Sequence, residues 1–251
     1  MRILVFDFYG KMAHFRKFYT NSSSLSYYFP PRTTIIGLIA GLLGYERDTY
    51  YELFSPENTK ITLSIRSPLR KIIQMINYVW ADDVKYLNAS KGQHTQVPFE
   101  IIFPQNIKEN VCYRIFFFHR NEDILNALEE KIKNYTFCFP PYLGVTEFVG
   151  NIEFVGKGSM EKNEENRVIL DSIISVDYIK NRTINLETYP GAQYIKEKMP
   201  FSFDKYRMLK DPPREYIGEI KTSKIVLRGK IDYYKIKINE STIYNVVFME
   251  D

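Results

Sequence analysis

The chain has little cysteine and no long apolar segment. Two of its 251 residues are cysteines, Cys112 and Cys138, and they are not spaced as C-x-x-C. This argues against a disulfide framework or a cysteine-based zinc site and predicts two buried free thiols. No apolar run approaches the roughly 20 residues that a membrane-spanning helix needs, and the opening MRILVFDFYG lacks the order of a signal peptide. We therefore expect a cytoplasmic chain without a membrane partner.

Apolar and aromatic residues are abundant. Hydrophobic residues make up 45% of the chain and aromatic residues 16%, which is enough for one large domain or two moderate ones. The formal net charge of +4 is mildly basic. Such a charge permits a polyanionic partner without requiring one.

Four segments have the apolar, β-branched or alternating pattern of β-strands. They are residues 2–9, 60–67, 111–119 and 144–156. A helix pattern separates the first two segments and another separates the last two, while a polar insertion at 81–98 lies between the middle pair. This order is that of the ferredoxin-like fold, which RNA-recognition modules share. We predict an α+β protein with a ferredoxin-like N-terminal domain.

The first helix is predicted within PPRTTIIGLIAGLLG, residues 30–44. The two prolines fix an extended start, Thr33 or Thr34 can act as N-cap, and Gly44 fits a left-handed end. Small residues recur on one face and branched apolar residues cover the rest, so we expect a helix buried on all sides and close against a sheet. The second helix is predicted to begin after Asn121, a suitable N-cap.

The composition changes after residue 156. The segment GKGSMEKNEENR has the charge and glycine content of a linker or loop. Beyond it, strand-like segments follow one another with hardly any helix pattern between them. We predict a ferredoxin-like domain at 1–156, containing the polar insertion, and a smaller antiparallel β lobe at 157–251.

Residues 10–29 combine cations, hydroxyls and aromatic rings. Cations and hydroxyls bind phosphate oxygens, and aromatic faces stack on unpaired bases. The helix N-terminus that follows favours an anion. The candidate RNA-binding residues of this region are Lys11, Arg16, Lys17, Tyr19, Ser22, Ser24, Tyr27, Arg32, Thr33 and Thr34. The alternative interpretation is a tyrosine-rich surface loop whose arginines are solvated.

Three ordered segments closely resemble one known family. They are GKMAHFRK (10–17) with SLSYYFPPRTTIIGLIAGLLG (24–44), QHTQVPFEIIFP (93–104) and PPYLGVTEF (140–148). Together they resemble the CRISPR-associated Cas family five, a RAMP-type subunit of type I Cascade. The resemblance covers about the first 150 residues, whereas the remainder matches only in its β-rich character.

The resemblance implies a non-catalytic subunit in antiviral defence that grips the 5′ handle of mature CRISPR RNA (crRNA). Its expected partners are crRNA and the backbone and large subunits of Cascade, in subtype I-B or I-A, with no small-molecule substrate. It also implies an inserted β-hairpin, called the thumb, which we expect near 81–98. This adds Lys91, Gln93, His94 and Gln96 to the candidate RNA-binding residues.

The type I-C branch of the family suggests an alternative, a metal-independent endoribonuclease that processes precursor crRNA. Such chemistry needs a base for the 2′-hydroxyl and a cation for the phosphorane. Among the three histidines, only His94, with Lys91 nearby and Tyr45 as a third member, resembles a catalytic group. A third interpretation is a generic RNA-recognition protein outside any CRISPR system.

No metal or cofactor is expected from the sequence. Asp82 and Asp83, taken with Asp7, lack the spacing of a two-metal site. We interpret the acidic pair as a solvated turn.

Overall fold

The computed structural model describes residues 1–79, 83–84 and 94–251 of the chain. In these residues the helices are α1 (Arg32–Leu43), α2 (Glu122–Asn134) and α3 (Val176–Asn181). The strands are β1 (Arg2–Gly10), β2 (Phe15–Arg16), β3 (Ser26–Tyr27), β4 (Thr59–Ile65), β5 (Leu69–Val79), β6 (His94–Pro104), β7 (Val111–His119), β8 (Gly150–Leu170), β9 (Ile174–Ser175), β10 (Asn185–Glu187), β11 (Tyr194–Met199), β12 (Arg214–Glu219), β13 (Ile225–Lys237) and β14 (Ile243–Val246). No helix of these ranges is long and apolar enough to cross a membrane.

A seven-stranded antiparallel sheet forms the centre of the molecule. Its strands lie in the order β10-β13-β8-β1-β7-β4, and β14 pairs with β13. The prediction of a mixed fold is confirmed, since mostly antiparallel sheets are combined with few helices. The strands expected at 2–9, 60–67 and 111–119 are confirmed, whereas the strand expected from residue 144 begins at Gly150.

Strand β1 contributes to both faces of the sheet because successive side chains point in opposite directions. Leu4 and Phe6 belong to the main core, which includes buried residues of α1 and α2. Ile3 and Val5 pack on the other face, in a cluster that also contains Phe248. Both faces of this strand are therefore covered, as its apolar run from Ile3 to Phe6 indicates.

The second helix begins as the sequence predicts. The Oδ1 atom of Asn121 accepts a hydrogen bond from the backbone N–H of Asp123 at 2.9 Å. The apolar stripe of α2, which includes Leu125, Leu128 and Ile132, is buried. The cap and the stripe are local features, so the sequence alone was sufficient to predict them.

The first helix is present, but its surroundings differ from the prediction. Pro31, in an extended conformation, is the N-cap without a side-chain cap, and Gly44 ends the helix at φ 87°. The small-residue face is not packed closely on a sheet, because a Cβ atom added at Gly41 would meet only the Cβ of Phe139, at 3.9 Å. Branched residues such as Ile39 face the sheet instead. Burying large apolar side chains there removes more area from water than burying glycine would.

The segment expected to be a linker is part of a strand. Residues 156–167 lie within β8, which runs for 21 residues and pairs with β1 and then with β13. Ion pairs across the β8–β13 ladder accommodate the charges, as in Lys230–Glu164 at 3.2 Å. The sheet therefore continues across the predicted boundary at 156/157.

Strands β5 and β6 form a separate two-stranded hairpin between β4 and β7. Their pairing extends from Leu69 opposite Pro104 to Val79 opposite His94. Most of the polar insertion at 81–98, in which we expected the thumb, lies outside the described residues. The described strands begin well before that insertion and end after it.

The two cysteines are free, but only one is shielded. Cys112 is half-buried and Cys138 is exposed, so the prediction of two buried thiols is wrong for Cys138. Burial raises the pKa of the Cys112 thiol to about 12, which makes it a poor nucleophile.

Candidate nucleic-acid interface

Residues 11–29, hereafter the serine–tyrosine loop, carry their polar and aromatic groups in two layers. Its outer layer consists of the exposed side chains Lys11, Arg16, Phe18, Tyr19 and Ser22. The rings of Phe18 and Tyr19 meet edge to face with centroids 5.2 Å apart. The Nη2 atom of Arg16 donates to the carbonyl oxygen of Thr20 at 3.2 Å. Cations, rings and a hydroxyl thus share one exposed surface.

The inner layer contains three residues that the sequence proposed for RNA contact. Ser24 and Tyr27 are buried, and the Nζ atom of Lys17 forms an ion pair with Glu197 at 2.6 Å. Burial alone would lower the pKa of Lys17, but the hydrogen bond and negative charge of Glu197 raise it. These side chains hold the loop in shape and do not face outwards.

The N-terminus of α1 corrects the expected role of Arg32. Its side chain is only 1% exposed and forms an ion pair with Glu250. It also donates to the carbonyl oxygens of Phe54 at 3.0 Å and Thr59 at 3.4 Å. The expectation that its charge is exposed at the start of the helix is wrong, because a residue 218 positions away supplies its partner. The neighbouring Thr33 and Thr34 are half-buried.

The structure describes two members of the candidate catalytic trio, Tyr45 and His94. His94 and Gln96 are exposed on β6, and Lys91 and Gln93 lie outside the described residues. Tyr45 follows α1, where its ring meets that of Phe54 at 5.9 Å. No contact joins Tyr45 with His94 among the residues that the structure describes.

The three segments that carry the family resemblance meet in space. Ala13 pairs with Ile102 of the second segment, with N–O distances of 3.1 and 2.9 Å. The backbone N–H of His14 donates to the carbonyl oxygen of Leu143 in the third segment at 2.9 Å. We call this contact region the motif junction; it joins residues 13–15, 99–102 and 143–148.

Gly144 permits the close approach at the motif junction. Its φ of +96° favours glycine, and a Cβ atom there would lie 1.8 Å from the carbonyl oxygen of His14. A larger residue would have to displace backbone. Close packing against His14 therefore explains why the PPYLGVTEF segment has glycine at this position.

His14 lies at the centre of the motif junction. Its ring stacks on Phe99 with centroids 3.9 Å apart. Its Nδ1 atom lies 2.7 Å from the carbonyl oxygen of Glu100, which can only accept, so Nδ1 donates. Nε2 is then free to accept from the hydroxyl of Ser24 at 3.0 Å. Burial lowers the pKa of His14, which favours the neutral ring that makes both hydrogen bonds.

Sequence reasoning missed four residues that shape this site. His14, Lys71, Glu100 and Glu197 are absent from the candidates that the sequence offers. Glu100 lies in the quoted QHTQVPFEIIFP segment, so its place there was an available signal. For Glu197 no local signal exists, since its partner Tyr28 lies 169 positions away.

Carboxylates of the described residues offer no metal centre. Asp7 forms a bidentate ion pair with Arg114, with two distances of 2.7 Å. No group of three or more potential metal ligands occurs in residues 1–79, 83–84 and 94–251.

Comparisons with known proteins point to CRISPR proteins. A family model described as CRISPR-associated protein (Cas_Cas5) matches residues 3–98. A solved structure described as "Crystal structure of a CRISPR protein from Archaeoglobus fulgidus" is similar over 98% of this chain and 99% of that chain, with 15% identity and a TM-score of 0.59. Another, described as "CRISPR RNA-guided surveillance complex", is similar over 92% of this chain and 91% of that chain, with 15% identity and a TM-score of 0.51. The comparison with curated proteins found no match.

These comparisons indicate which class of protein has this fold. At 15% identity the structural similarity shows a shared fold, which is that of CRISPR proteins. The family match covers the first segment of the resemblance and the first six residues of the second. The family model described as CRISPR-associated protein (Cas_Cas5) thus matches the N-terminal part of this chain, in agreement with the resemblance found in the sequence.

Proposed function

We propose that the chain binds crRNA as a non-catalytic subunit of a type I Cascade in antiviral defence. It grips the 5′ handle and contacts the backbone and large subunits, in subtype I-B or I-A. The observation that carries this proposal is the motif junction. Segments that are far apart in the sequence meet there, and the first of them continues into the loop that carries the exposed Arg16 and Tyr19. This combination suits single-stranded RNA, because cations hold phosphates while aromatic rings stack on bases.

We further propose that β1, α1, β4, β7, α2 and the first part of β8 form a ferredoxin-like unit. The strand order β8-β1-β7-β4 supports this, because each helix connects two strands that have one strand between them. The β5–β6 hairpin, inserted between β4 and β7, is then the thumb. The similar solved structure described as "CRISPR RNA-guided surveillance complex" supports the assignment to an RNA-guided assembly.

Filter binding at several salt concentrations tests the proposal. The probe is a single-stranded RNA that carries the 5′ handle of the CRISPR repeat from the same genome, compared with a scrambled RNA of equal length. We expect log affinity to fall with log salt by a slope of about −0.7 per neutralised phosphate. Arg16→Ala should weaken binding and reduce the slope by about the same amount, because it removes one phosphate contact.

The matched control is Arg228→Ala, because Arg228 is a 73% exposed arginine on β13 outside the serine–tyrosine loop. It should leave affinity and slope unchanged. An affinity that does not depend on salt, or an equal loss in both variants, would contradict a phosphate-binding role for this loop.

A further inference from the structure

Four charged side chains link separate parts of the molecule in an unbroken series, which we call the ion-pair chain. Lys17 contacts Glu197 at 2.6 Å, Glu197 contacts Lys71 at 3.7 Å, and Lys71 contacts Glu100 at 3.0 Å. The side chains come from the serine–tyrosine loop, β11, β5 and β6. Each is at most 16% exposed. The loop is therefore tied both to the base of the hairpin and to the C-terminal half of the chain.

Three members of the ion-pair chain hold the backbone of β3 and the residue after it. The N–H of Ser26 donates to Glu100 at 2.8 Å, and its carbonyl oxygen accepts from Lys71. The N–H of Tyr28 donates to Glu197 at 3.3 Å. Lys71 also lies over the Tyr28 ring, 4.1 Å from its centroid. These side chains satisfy backbone groups that would otherwise need a strand partner.

The serine–tyrosine loop has little regular structure of its own to hold it. Its ladder consists of β2 and β3, with only two residue pairs. Isolated two-stranded hairpins are at best marginally stable in water. The position of the exposed Arg16, which belongs to this ladder, therefore depends on the contacts that fix β3 from outside.

The charges are balanced, so they can be removed in matched pairs. Burial lowers the pKa of Lys71, and the negative charges of Glu100 and Glu197 oppose that effect. Removing one member alone leaves a poorly solvated partner charge. Removing Lys71 and Glu100 together leaves the Lys17–Glu197 pair intact. Such a double substitution tests the ion-pair chain without leaving an unpaired buried charge.

We propose that the ion-pair chain positions the serine–tyrosine loop for RNA, with Lys71 and Glu100 as positioning residues. They shape the surface that Arg16 presents and do not touch RNA themselves. The effect on RNA rests on the function proposed above, whereas the effect on the backbone of Ser26 and Tyr28 does not.

Hydrogen exchange of the free protein tests the structural half of the proposal. In Lys71→Met/Glu100→Gln the amides of Ser26 and Tyr28 should exchange at least about tenfold faster than in the parent protein. The control is Lys196→Met/Glu215→Gln, which removes a more exposed pair, 3.2 Å apart, between β11 and β12. It should leave these two amides unchanged. Unchanged exchange in the first variant would overturn the proposal.

A milder variant covers the case in which the double substitution does not fold. Glu100→Gln preserves the size of the side chain but replaces the charged acceptor of the Ser26 N–H by a neutral and weaker one. It leaves Lys71 paired with Glu197. We expect faster exchange at Ser26 with a retained fold. An unchanged exchange rate of the Ser26 amide in this variant would also overturn the proposal.

A double-mutant cycle with the handle RNA tests the functional half. We expect the Lys71→Met/Glu100→Gln variant to bind about tenfold more weakly, and Arg16→Ala to cause almost no further loss in that background. Losses that simply multiply would mean that the ion-pair chain does not position Arg16. If the parent protein does not bind the RNA at all, the proposed function fails, and the exchange result alone decides whether the chain holds the loop.

Discussion

Arg32 is a buried structural residue whose charge is matched inside the protein. Its side chain pairs with Glu250 and donates to two backbone carbonyl oxygens. Arg32→Ala would leave the Glu250 carboxylate, whose side chain is 6% exposed, without its partner. We expect a loss of about 3–5 kcal/mol in the free energy of unfolding, measured by urea denaturation. Arg16→Ala, at an exposed site, should change it by less than about 0.5 kcal/mol.

The reverse result for these two arginines would contradict the structure. If Arg32→Ala were neutral in stability, the contact with Glu250 could not be the buried pair described here. A large loss from Arg16→Ala would instead mean that this residue supports the fold.

His14 makes the stability of the protein depend on pH. Burial lowers the pKa of His14 in the folded state. The full contribution of His14 to the free energy of unfolding is therefore present above about pH 6.5, the pKa of histidine in the unfolded chain. Below that value the unfolded chain takes up a proton that the folded protein resists, so stability falls by at most about 1.4 kcal/mol per pH unit. Melting curves between about pH 7.5 and pH 5.5 measure this loss.

The comparison with variants separates the effect of His14 from that of any other group whose protonation changes between these two pH values. In His14→Gln the decrease between the two pH values should be smaller than in the parent protein, whatever the absolute stability. His94→Gln, at an exposed strand position, should retain the parent dependence. Identical pH dependence in all three proteins would contradict a shifted His14.

At the scale of elements, α1 has two glycines that should respond in opposite ways to alanine. Gly41 has helical geometry and ordinary space around it, so Gly41→Ala should stabilise the protein by about 0.5–1 kcal/mol. Gly44 has a φ of +87°, and an added Cβ would lie 2.7 Å from the Sγ of Cys138. Gly44→Ala should therefore lower the melting temperature. A melting temperature lowered by Gly41→Ala would show that the helix is packed more closely there than the structure shows.

At the scale of the whole molecule, we predict that the protein binds precursor RNA without cutting it. A nuclease that loses its general base typically becomes about a hundredfold or more slower. In this protein Tyr45 packs on Phe54, whereas His94 lies on the β5–β6 hairpin. Repeat-containing RNA incubated with the protein in EDTA at about pH 8 should give no specific product. His94→Ala, Lys91→Ala and Tyr45→Phe should change RNA affinity only modestly.

A nuclease would give a different pattern in the same assay. A single product with a 2′,3′-cyclic phosphate end, abolished by His94→Ala, would place the protein with the type I-C branch. The RNA-holding role proposed here would then be wrong.

The sequence by itself determined the features that depend on neighbours along the chain. Asn121 is followed by an apolar stripe, and Gly44 ends an apolar run that two prolines precede, so both helices were predictable from local signals. The strands at 2–9 and 111–119 were predictable because both are mostly apolar and rich in β-branched and aromatic residues. The family resemblance also depended on short contiguous segments.

Only the tertiary structure decided which charges lie inside. Arg32 and Lys17 look like RNA-binding cations in sequence, yet Glu250 and Glu197 bury and pair them from distant parts of the chain. Residues 156–167 read as a linker, but β13 supplies the partner strand and the counter-charges that make them part of β8. Burial and charge pairing depend on which segments meet in space, and local patterns carry no information about partners more than a hundred residues away.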